Sequence, residues 1–314
     1  MSVLERKKVL VTGGAGFVGS HLVEELVKRG AKVTVIALTE KNKDRNLKHV
    51  IDRIEFIKCD VADDKEISLL SNRDFDYVFH LAAVASPHIC EKNPGLAFRT
   101  NVHGTYNVLT LATKMKNLKK IFFASSGQLY GKYPNYTPID EKHPTDFTES
   151  VYNMTKGMGE VMFNSFHKKY GLPILVFRFF SIFGPRQVDD YLIPKVILQA
   201  LNKGVIELWN EKPTRDYNFV TNVVDALIIG TESDFIGGPI NIGYGIELKI
   251  GDLSKQIAEK LNAQLKFLNM EVVGPMRLHC NNDLAKNVLK WTPKISFEKG
   301  LDKTIEWFKR NNSG

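Results

Sequence analysis

Three groups of residues have the types and spacing to do chemistry together. The first is the glycine-rich stretch Val11-Thr12-Gly13-Gly14-Ala15-Gly16-Phe17-Val18-Gly19. It satisfies GxGxxG through Gly14, Gly16 and Gly19, and TGxxGxxG through Gly13, Gly16 and Gly19. Glycine is required where a backbone turns tightly and approaches a pyrophosphate, whose charge then sits at a helix N-terminus. The stretch follows a strand-like run and opens a helix-like one, the context that points to a dinucleotide. The second group is Tyr152 and Lys156, which share a helical face at i and i+4. A phenol has a pKa of about 10, and a nearby cation can lower it by roughly 1–3 units. A phenolate there could take a proton from a sugar hydroxyl as hydride leaves the carbon. The third is Ser125-Ser126 at the end of a strand, the edge where open α/β sheets bind ligands.

Selection of NAD usually takes an acidic residue at the end of the second strand, about 20 residues past the glycines. Ala37 stands there; Glu40 comes late and is followed by Lys41, Lys43 and Arg45. The missing acid and nearby cations suit the 2′-phosphate of NADP, while a solvated basic loop would leave NAD in place. Both cofactors stay open. Asp60 and Val61, after the third strand, suit the adenine amino group and ring nitrogens.

These residues need a scaffold that delivers them to one edge. Short apolar runs at Lys8–Val11, Lys32–Leu38, Ile54–Cys59, Tyr77–Ala82, Lys120–Ala124 and Ile174–Phe180 read as buried strands. Between them, Phe17–Arg29, Ala97–Lys114 and Val151–Tyr170 read as helices. This alternation predicts an α/β fold with a doubly wound parallel sheet, covered on both faces. After Gly184-Pro185 the rhythm changes. Helices are expected over Ile193–Lys203 and Asn222–Gly230, strands over Val205–Trp209 and Ile240–Ile242, and two amphipathic helices carry Leu253, Ile257 and Leu261, then Leu301, Ile305 and Phe308. The expected division is 1–180 with 216–243 for the dinucleotide, and 181–215 with 244–314 as a smaller, interleaved α/β substrate domain. Prolines 134, 138 and 144 make 133–146 a loop.

Composition excludes other classes. The 314 residues are 43% hydrophobic and 25% charged, ordinary globular values, with 43 Lys+Arg against 35 Asp+Glu for a net charge of +8. The surplus is spread thinly, without the like-charge run of a nucleic-acid tail. Three dispersed cysteines, Cys59, Cys90 and Cys280, show neither a disulfide framework nor zinc-ligand spacing. No apolar run reaches the roughly 18 residues of a membrane span, and the first residues lack a signal peptide's pattern. A soluble cytoplasmic protein is expected, with no metal, nucleic acid or membrane partner.

With these residues in hand, the chain resembles the extended short-chain dehydrogenase/reductase family, in particular its nucleotide-sugar epimerases and dehydratases. The resemblance runs through TGGAGFVGS, His80-Leu81-Ala82-Ala83, Thr100–Thr105, SSGQLYG at 125–131, YNMTK, FFSIFGPRQ at 179–187, TRDYNFV at 214–220, and a tail with Arg277 and Asp283. It implies Tyr152 as base, Lys156 on the nicotinamide ribose and Ser126 on the sugar hydroxyl. It further implies Gly13, Gly16, Phe17 and Val18 at the pyrophosphate, with Leu81, Ala82, Ala83, Asn101 and Phe179 around the cofactor. Ser86, Gln128, Ser181, Arg215 and Arg277 would meet a nucleotide-sugar substrate, the arginines at its diphosphate or ribose unless they serve as surface ion-pair residues. His88 and Cys90 would line the sugar pocket, or else form a surface loop and a packed thiol. A homodimer is implied, built from the Val151–Tyr170 and Ala97–Lys114 helices; Met154, Met158 and Met162 form a stripe suited to core or subunit contact.

Departures from the family pattern narrow the reaction. Dehydratases carry an Asp-Glu pair directly after the active-site hydroxyl, and decarboxylases a glutamate at the second position. Gly127 and Gln128 stand there, and an amide cannot shuttle a proton as a carboxylate does. Ala85-Ser86-Pro87 and Asn93-Pro94 nonetheless look like the decarboxylase branch, and Ser181 replaces a common asparagine. A nucleotide-sugar 4-epimerase, needing only reversible hydride transfer at C4, is the expected enzyme. A 4-keto reductase or 4-dehydrogenase is the alternative, and the retained Tyr/Lys pair argues against a non-catalytic redox sensor.

Overall fold

The computed structural model describes residues 2–40, 42–271 and 274–312. The first strands are β1 (Lys8–Thr12), β2 (Lys32–Ala37), β3 (Ile54–Lys58), β4 (Tyr77–His80), β5 (Lys120–Ser126) and β6 (Ile174–Phe179). Then follow β7 (Ser181–Phe183), β8 (Val205–Leu208), β9 (Thr214–Arg215), β10 (Tyr217–Phe219), β11 (Gly237–Ile242), β12 (Leu248–Lys249) and β13 (Gln264–Phe267). Seven of them make one parallel sheet in the order β11-β6-β5-β4-β1-β2-β3. The order reverses between β1 and β4, so the crevice at their carboxyl ends is the place for a ligand. The α/β doubly wound architecture is the one the alternation predicts.

Each face of the sheet is covered. One core takes Leu22, Val23 and Leu26 from the Phe17–Lys28 helix and Val223, Leu227 and Ile228 from the Val220–Glu232 helix. The other takes Val108 and Leu109 from the Gly104–Ala112 helix and Phe163 from the Val151–Tyr170 helix. A third core lies in the later chain, among Phe183, Ile197, Ile206, Phe219, Leu253, Leu301 and Ile305. Ala285, Leu289 and Trp291, late in sequence, pack into the first core.

Local chemistry fixes the element that matters most. Ser150 caps the Val151–Tyr170 helix through its hydroxyl, which accepts the Asn153 N–H at 3.1 Å, and Gly171 ends it in the left-handed region at φ 69°. Two expected elements differ. Strand β4 stops at His80 rather than Ala82, because Leu81 and Ala82 turn to donate their N–H groups to the Thr12 carbonyl (3.2 Å) and hydroxyl (3.1 Å). The expected Ala97–Lys114 helix is broken into Pro94–Ala97, a π-helical Phe98–His103 and Gly104–Ala112. The widened turn carries Asn101, and such widenings often accompany functional sites.

Candidate active site

The glycine turn joins β1 to the Phe17–Lys28 helix at the reversal point. Gly13 adopts φ 69°, and a Cβ there would lie 2.8 Å from the Ala82 nitrogen; a Cβ on Gly19 would overlap the Gly13 carbonyl. The turn can therefore be built only from glycine at these two positions. Gly16 is the helix N-cap and no side chain caps it, which leaves first-turn N–H groups at Phe17 and Val18 for an anion. A cradle of this shape fits a dinucleotide pyrophosphate.

The wall opposite the turn is set by a histidine. His80 is 1% exposed, with Nδ1 2.8 Å from the Thr12 hydroxyl and Nε2 2.9 Å from that of Thr105. Thr105 spends its proton on the Asn101 carbonyl at 2.5 Å, so it accepts from His80 Nε2–H, and Thr12 donates to Nδ1. Burial, with Lys156 adding to it, pushes the imidazole down to about 3. His80 is thus a neutral strut that positions the Leu81-Ala82-Ala83 segment.

Asn101 is likewise a clamp. Its Oδ1 accepts the Val84 N–H at 2.7 Å, and its Nδ2 donates to the Val84 carbonyl (3.1 Å) and the Thr155 hydroxyl (3.0 Å). It ties the loop after β4 to the helix bearing Tyr152 and Lys156. Just past the end of β3, Asp60 accepts from the Ala62 N–H (2.9 Å) and Arg99 (2.8 Å), beside a buried Val61.

Ser126, Tyr152 and Lys156 converge at the carboxyl edge of β5, all three buried. The Ser126 hydroxyl accepts the Gln128 N–H at 3.1 Å, and its proximity to the Tyr152 phenol favours the phenolate, against the larger effect of burial. Phe179 pairs with Ser126 across β5 and β6. Lys156 donates to the Ala124 carbonyl at 2.8 Å, with its Nζ 5.2 Å from the centre of the Phe123 ring. The expectation of a phenol lowered by its neighbouring cation needs correction. Burial dominates in the free protein, raising Tyr152 to about 12 and lowering Lys156 to about 8. Beneath them, Glu160 receives a buried two-pronged ion pair from Arg178 (2.8 and 2.7 Å) and a hydrogen bond from Ser125, so Ser125 is a structural partner.

Of the two positions that would carry an extra acid, the first is crowded: a Cβ on Gly127 would lie 3.0 Å from the Phe180 ring. At the second, Gln128 is half-buried and its backbone carbonyl accepts from Asn153 Nδ2 at 2.9 Å. Cys90 is the packed thiol of the two readings, donating to the Val84 carbonyl at 3.3 Å and touching Tyr152. His88 is exposed on the Pro87–Lys92 helix, where a loop was the alternative; Ser86 caps that helix.

The residues expected to meet the nucleotide differ in their surroundings. Arg277 is exposed and engaged in a two-pronged pair with Glu247, at 2.7 and 2.6 Å, the ion-pair role, and this pair with the Thr214 hydroxyl bond holds Glu247 down at about 2. Arg215 bonds only carbonyls, those of Thr214 (2.8 Å) and Pro275 (2.6 Å), and forms no ion pair among the described residues. Ser181 lies on β7 opposite Tyr217. Asp216 went unnoticed in the sequence: fully buried, it accepts N–H groups of Tyr244, Gly245 and Cys280 and so fixes the loop beside Arg215. The cations proposed for a 2′-phosphate are held elsewhere. Lys43 lies over Phe56 and near Glu40, Arg45 stacks over Trp307 at 5.3 Å, and Lys41 lies outside the described residues.

A family model described as the NAD dependent epimerase/dehydratase family matches residues 9–243. The chain belongs to that family. Its members' dinucleotide is therefore the group the glycine cradle fits. A curated relative, the UDP-N-acetyl-alpha-D-glucosaminuronate decarboxylase of Bacillus cytotoxicus, is 32% identical over 97% of this chain and 98% of its own. Among solved structures, UDP-glucose 4-epimerase of Thermotoga maritima with UDP-glucose is similar at a TM-score of 0.91 and 29% identity, covering 98% of this chain and 100% of that one. UDP-glucuronic acid 4-epimerase of Bacillus cereus, in complex with UDP-glucuronic acid and NAD, is similar at a TM-score of 0.87 and 26% identity, over 97% and 99%. The chain is thus similar both to 4-epimerases and to a decarboxylase of a nucleotide sugar acid. No helix among the described residues is long and apolar enough to cross a membrane.

Proposed function

We propose that the protein is a nucleotide-sugar 4-epimerase acting on a UDP-hexose, with residues 1–180 and 216–243 holding NAD and 181–215 with 244–314 holding the sugar nucleotide. The observation that carries this reading is the convergence of Ser126, Tyr152 and Lys156 at one sheet edge, with no carboxylate at Gly127 or Gln128. Proton removal from a single hydroxyl is within reach of such a site; elimination or decarboxylation would ask for a further acid.

Gly13, Gly16, Phe17 and Val18 hold the pyrophosphate, Asp60 and Val61 the adenine, and Leu81, Ala82, Ala83, Asn101 and Phe179 shape the nicotinamide side. NAD, when bound, supplies the acceptor and later the donor of the C4 hydride and a positive charge beside Tyr152. Tyr152 takes the proton from the C4 hydroxyl at its phenol oxygen, helped by Ser126, and returns it after the 4-keto sugar has turned over. Lys156, ammonium on the Ala124 carbonyl, holds the ribose and lowers the cost of a phenolate. Arg215 grips the diphosphate, with Ser86, Gln128 and Ser181 along the sugar and Arg277 at the rim. The exposed Met158 and Tyr106, on the Val151–Tyr170 and Gly104–Ala112 helices, support a homodimer through a four-helix contact.

The test is proton NMR of the purified protein with UDP-glucose or UDP-N-acetylglucosamine, without added cofactor. A C4 epimer is expected. A keto sugar formed only after NAD or NADP is supplied would replace this reading with a dehydrogenase. Decarboxylation of a UDP-hexuronate is the second reading, favoured by the curated relative and by Ala85-Ser86-Pro87, and opposed by Gln128; carbon dioxide release from UDP-glucuronate would establish it.

A further inference from the structure

A line of buried polar groups runs from the glycine turn to the helix that bears Tyr152. Thr12, the last residue of β1, accepts the Ala82 N–H at 3.1 Å and donates its hydroxyl proton to His80 Nδ1 at 2.8 Å. His80 Nε2 donates to the Thr105 hydroxyl at 2.9 Å, and Thr105 donates to the Asn101 carbonyl at 2.5 Å. Asn101 carries the line across to the next element. Its Nδ2 donates to the Thr155 hydroxyl at 3.0 Å, and that hydroxyl donates to the Tyr152 carbonyl, also at 3.0 Å. Thr12, His80, Thr105, Asn101 and Thr155 are each at most 3% exposed.

A helical threonine that bonds the carbonyl one turn back is ordinary by itself. Thr231 does the same, donating to the Ile228 carbonyl at 2.7 Å inside the Val220–Glu232 helix. Thr155 differs because its oxygen also accepts, and the donor comes from another element. Every donor along the line points towards Tyr152, so the bonds polarise one another in one sense. Thr155→Val would keep the shape of the side chain and break the line. One Asn101 N–H would still reach the Val84 carbonyl, at 3.1 Å, and the other would be left unpaired in a buried place.

The demand this line meets is geometric. Hydride leaves the carbon whose hydroxyl gives up the proton, so the phenol and the hydride acceptor must keep one separation, and a misplacement of about 1 Å can cost about 100-fold. The phenol rides on the Val151–Tyr170 helix, whereas the cradle is built by the glycine turn and the segment after β4. We propose that Thr155 is the positioning residue that registers the one against the other. Through Asn101, Thr105 and His80 it fixes the Tyr152 carbonyl, and with it the phenol, to the wall of the dinucleotide cradle. The inference rests on the reading of Tyr152 as the base and names what holds that base in place.

Two readouts test this: turnover of UDP-glucose or UDP-N-acetylglucosamine by proton NMR, and NAD affinity by calorimetry on cofactor-stripped protein. Thr155→Val and Thr105→Val should each lower kcat by about 10–100-fold, with KM and NAD affinity within about threefold of wild type. Thr155→Ser, which keeps the hydroxyl, should bring kcat back to within about threefold. Thr231→Val, which loses the same local bond outside the line, should keep the wild-type kcat. Because the two threonines act through one line, the double valine variant should fall no further than the lower of the singles. Thr105→Val changes nothing in the Tyr152 helix, so it decides the matter should Thr155→Val fold poorly. A wild-type kcat in either valine variant overturns the proposal, as do multiplicative losses in the double variant or a Thr155→Ser as slow as Thr155→Val. An equal kcat loss in Thr231→Val, or an NAD affinity weakened more than threefold, also overturns it. Wild-type turnover of neither sugar overturns the nucleotide-sugar reading itself, and the proposal with it.

Discussion

At the scale of single residues, Tyr152 and His80 make opposite demands on a proton. Tyr152 must release one, yet burial holds its phenol at about 12 in the free protein, so bound positive charge has to do the lowering. Tyr152→Phe keeps the ring and removes the proton carrier; turnover should fall about 10²–10⁴-fold, with little change in the affinity for UDP-glucose. His80 must never gain a proton. Its folded pKa, about 3, lies below the ordinary 6.5, so the unfolded chain binds the extra proton between those values. Its stability contribution is therefore complete above pH 6.5 and drains away as pH falls toward 3. Urea titrations of His80→Gln should show a loss of about 1–3 kcal/mol at pH 8, from an unpaired Thr12 or Thr105, and a shallower decline on acidification. The glycines, Tyr152, Lys156 and Ser126 were legible in the sequence because their spacing is itself the constraint. The strut was not, since Thr12 and Thr105 lie 68 and 25 residues from His80. For the same reason Glu247 could not be matched to Arg277, nor Asp216 to its loop.

At the scale of elements, the Val151–Tyr170 helix was readable to its last residue, because a serine cap and a terminal glycine bound a clear periodicity. Its distance from the sheet was not readable. Gly159 sets that distance: a Cβ would run into the Phe123 ring, which is stacked on Phe163 at 4.7 Å and cannot swing away. Phe123 also lies under the Lys156 ammonium. Gly159→Ala should cost about 1–3 kcal/mol, read as a lower Tm, and should depress kcat because the helix carrying Tyr152 and Lys156 is pushed off β5. A variant with wild-type kcat would show that the helix tolerates the shift. The broken helix around Asn101 escaped sequence reading because a π-helical turn keeps the same apolar residues and changes only where the polar one aims.

At the scale of the whole molecule, the subunit contact can be probed on the face where Met158 is 40% exposed and Tyr106 48% exposed. Light scattering should give a dimer mass for the wild type at micromolar concentration and a monomer mass for Met158→Asp, since a desolvated carboxylate at an apolar contact is expensive. A monomeric wild type would remove the dimer from the proposal. The parallel sheet was foreseeable from alternation alone; the way later chain returns to it, with Trp291 seated in the first core, has no local signal. One such long-range contact has an optical consequence. Asn46 donates to the Ala15 carbonyl in the glycine turn at 2.9 Å, and its neighbour Arg45 stacks over the indole of Trp307 in the Phe297–Asn311 helix. The turn thus has a chromophore wired to it. Dinucleotide titrated into cofactor-stripped protein should change intrinsic emission, and Trp307→Phe should silence most of the change, because Trp291 is sealed in the core and Trp209 lies exposed under Lys195.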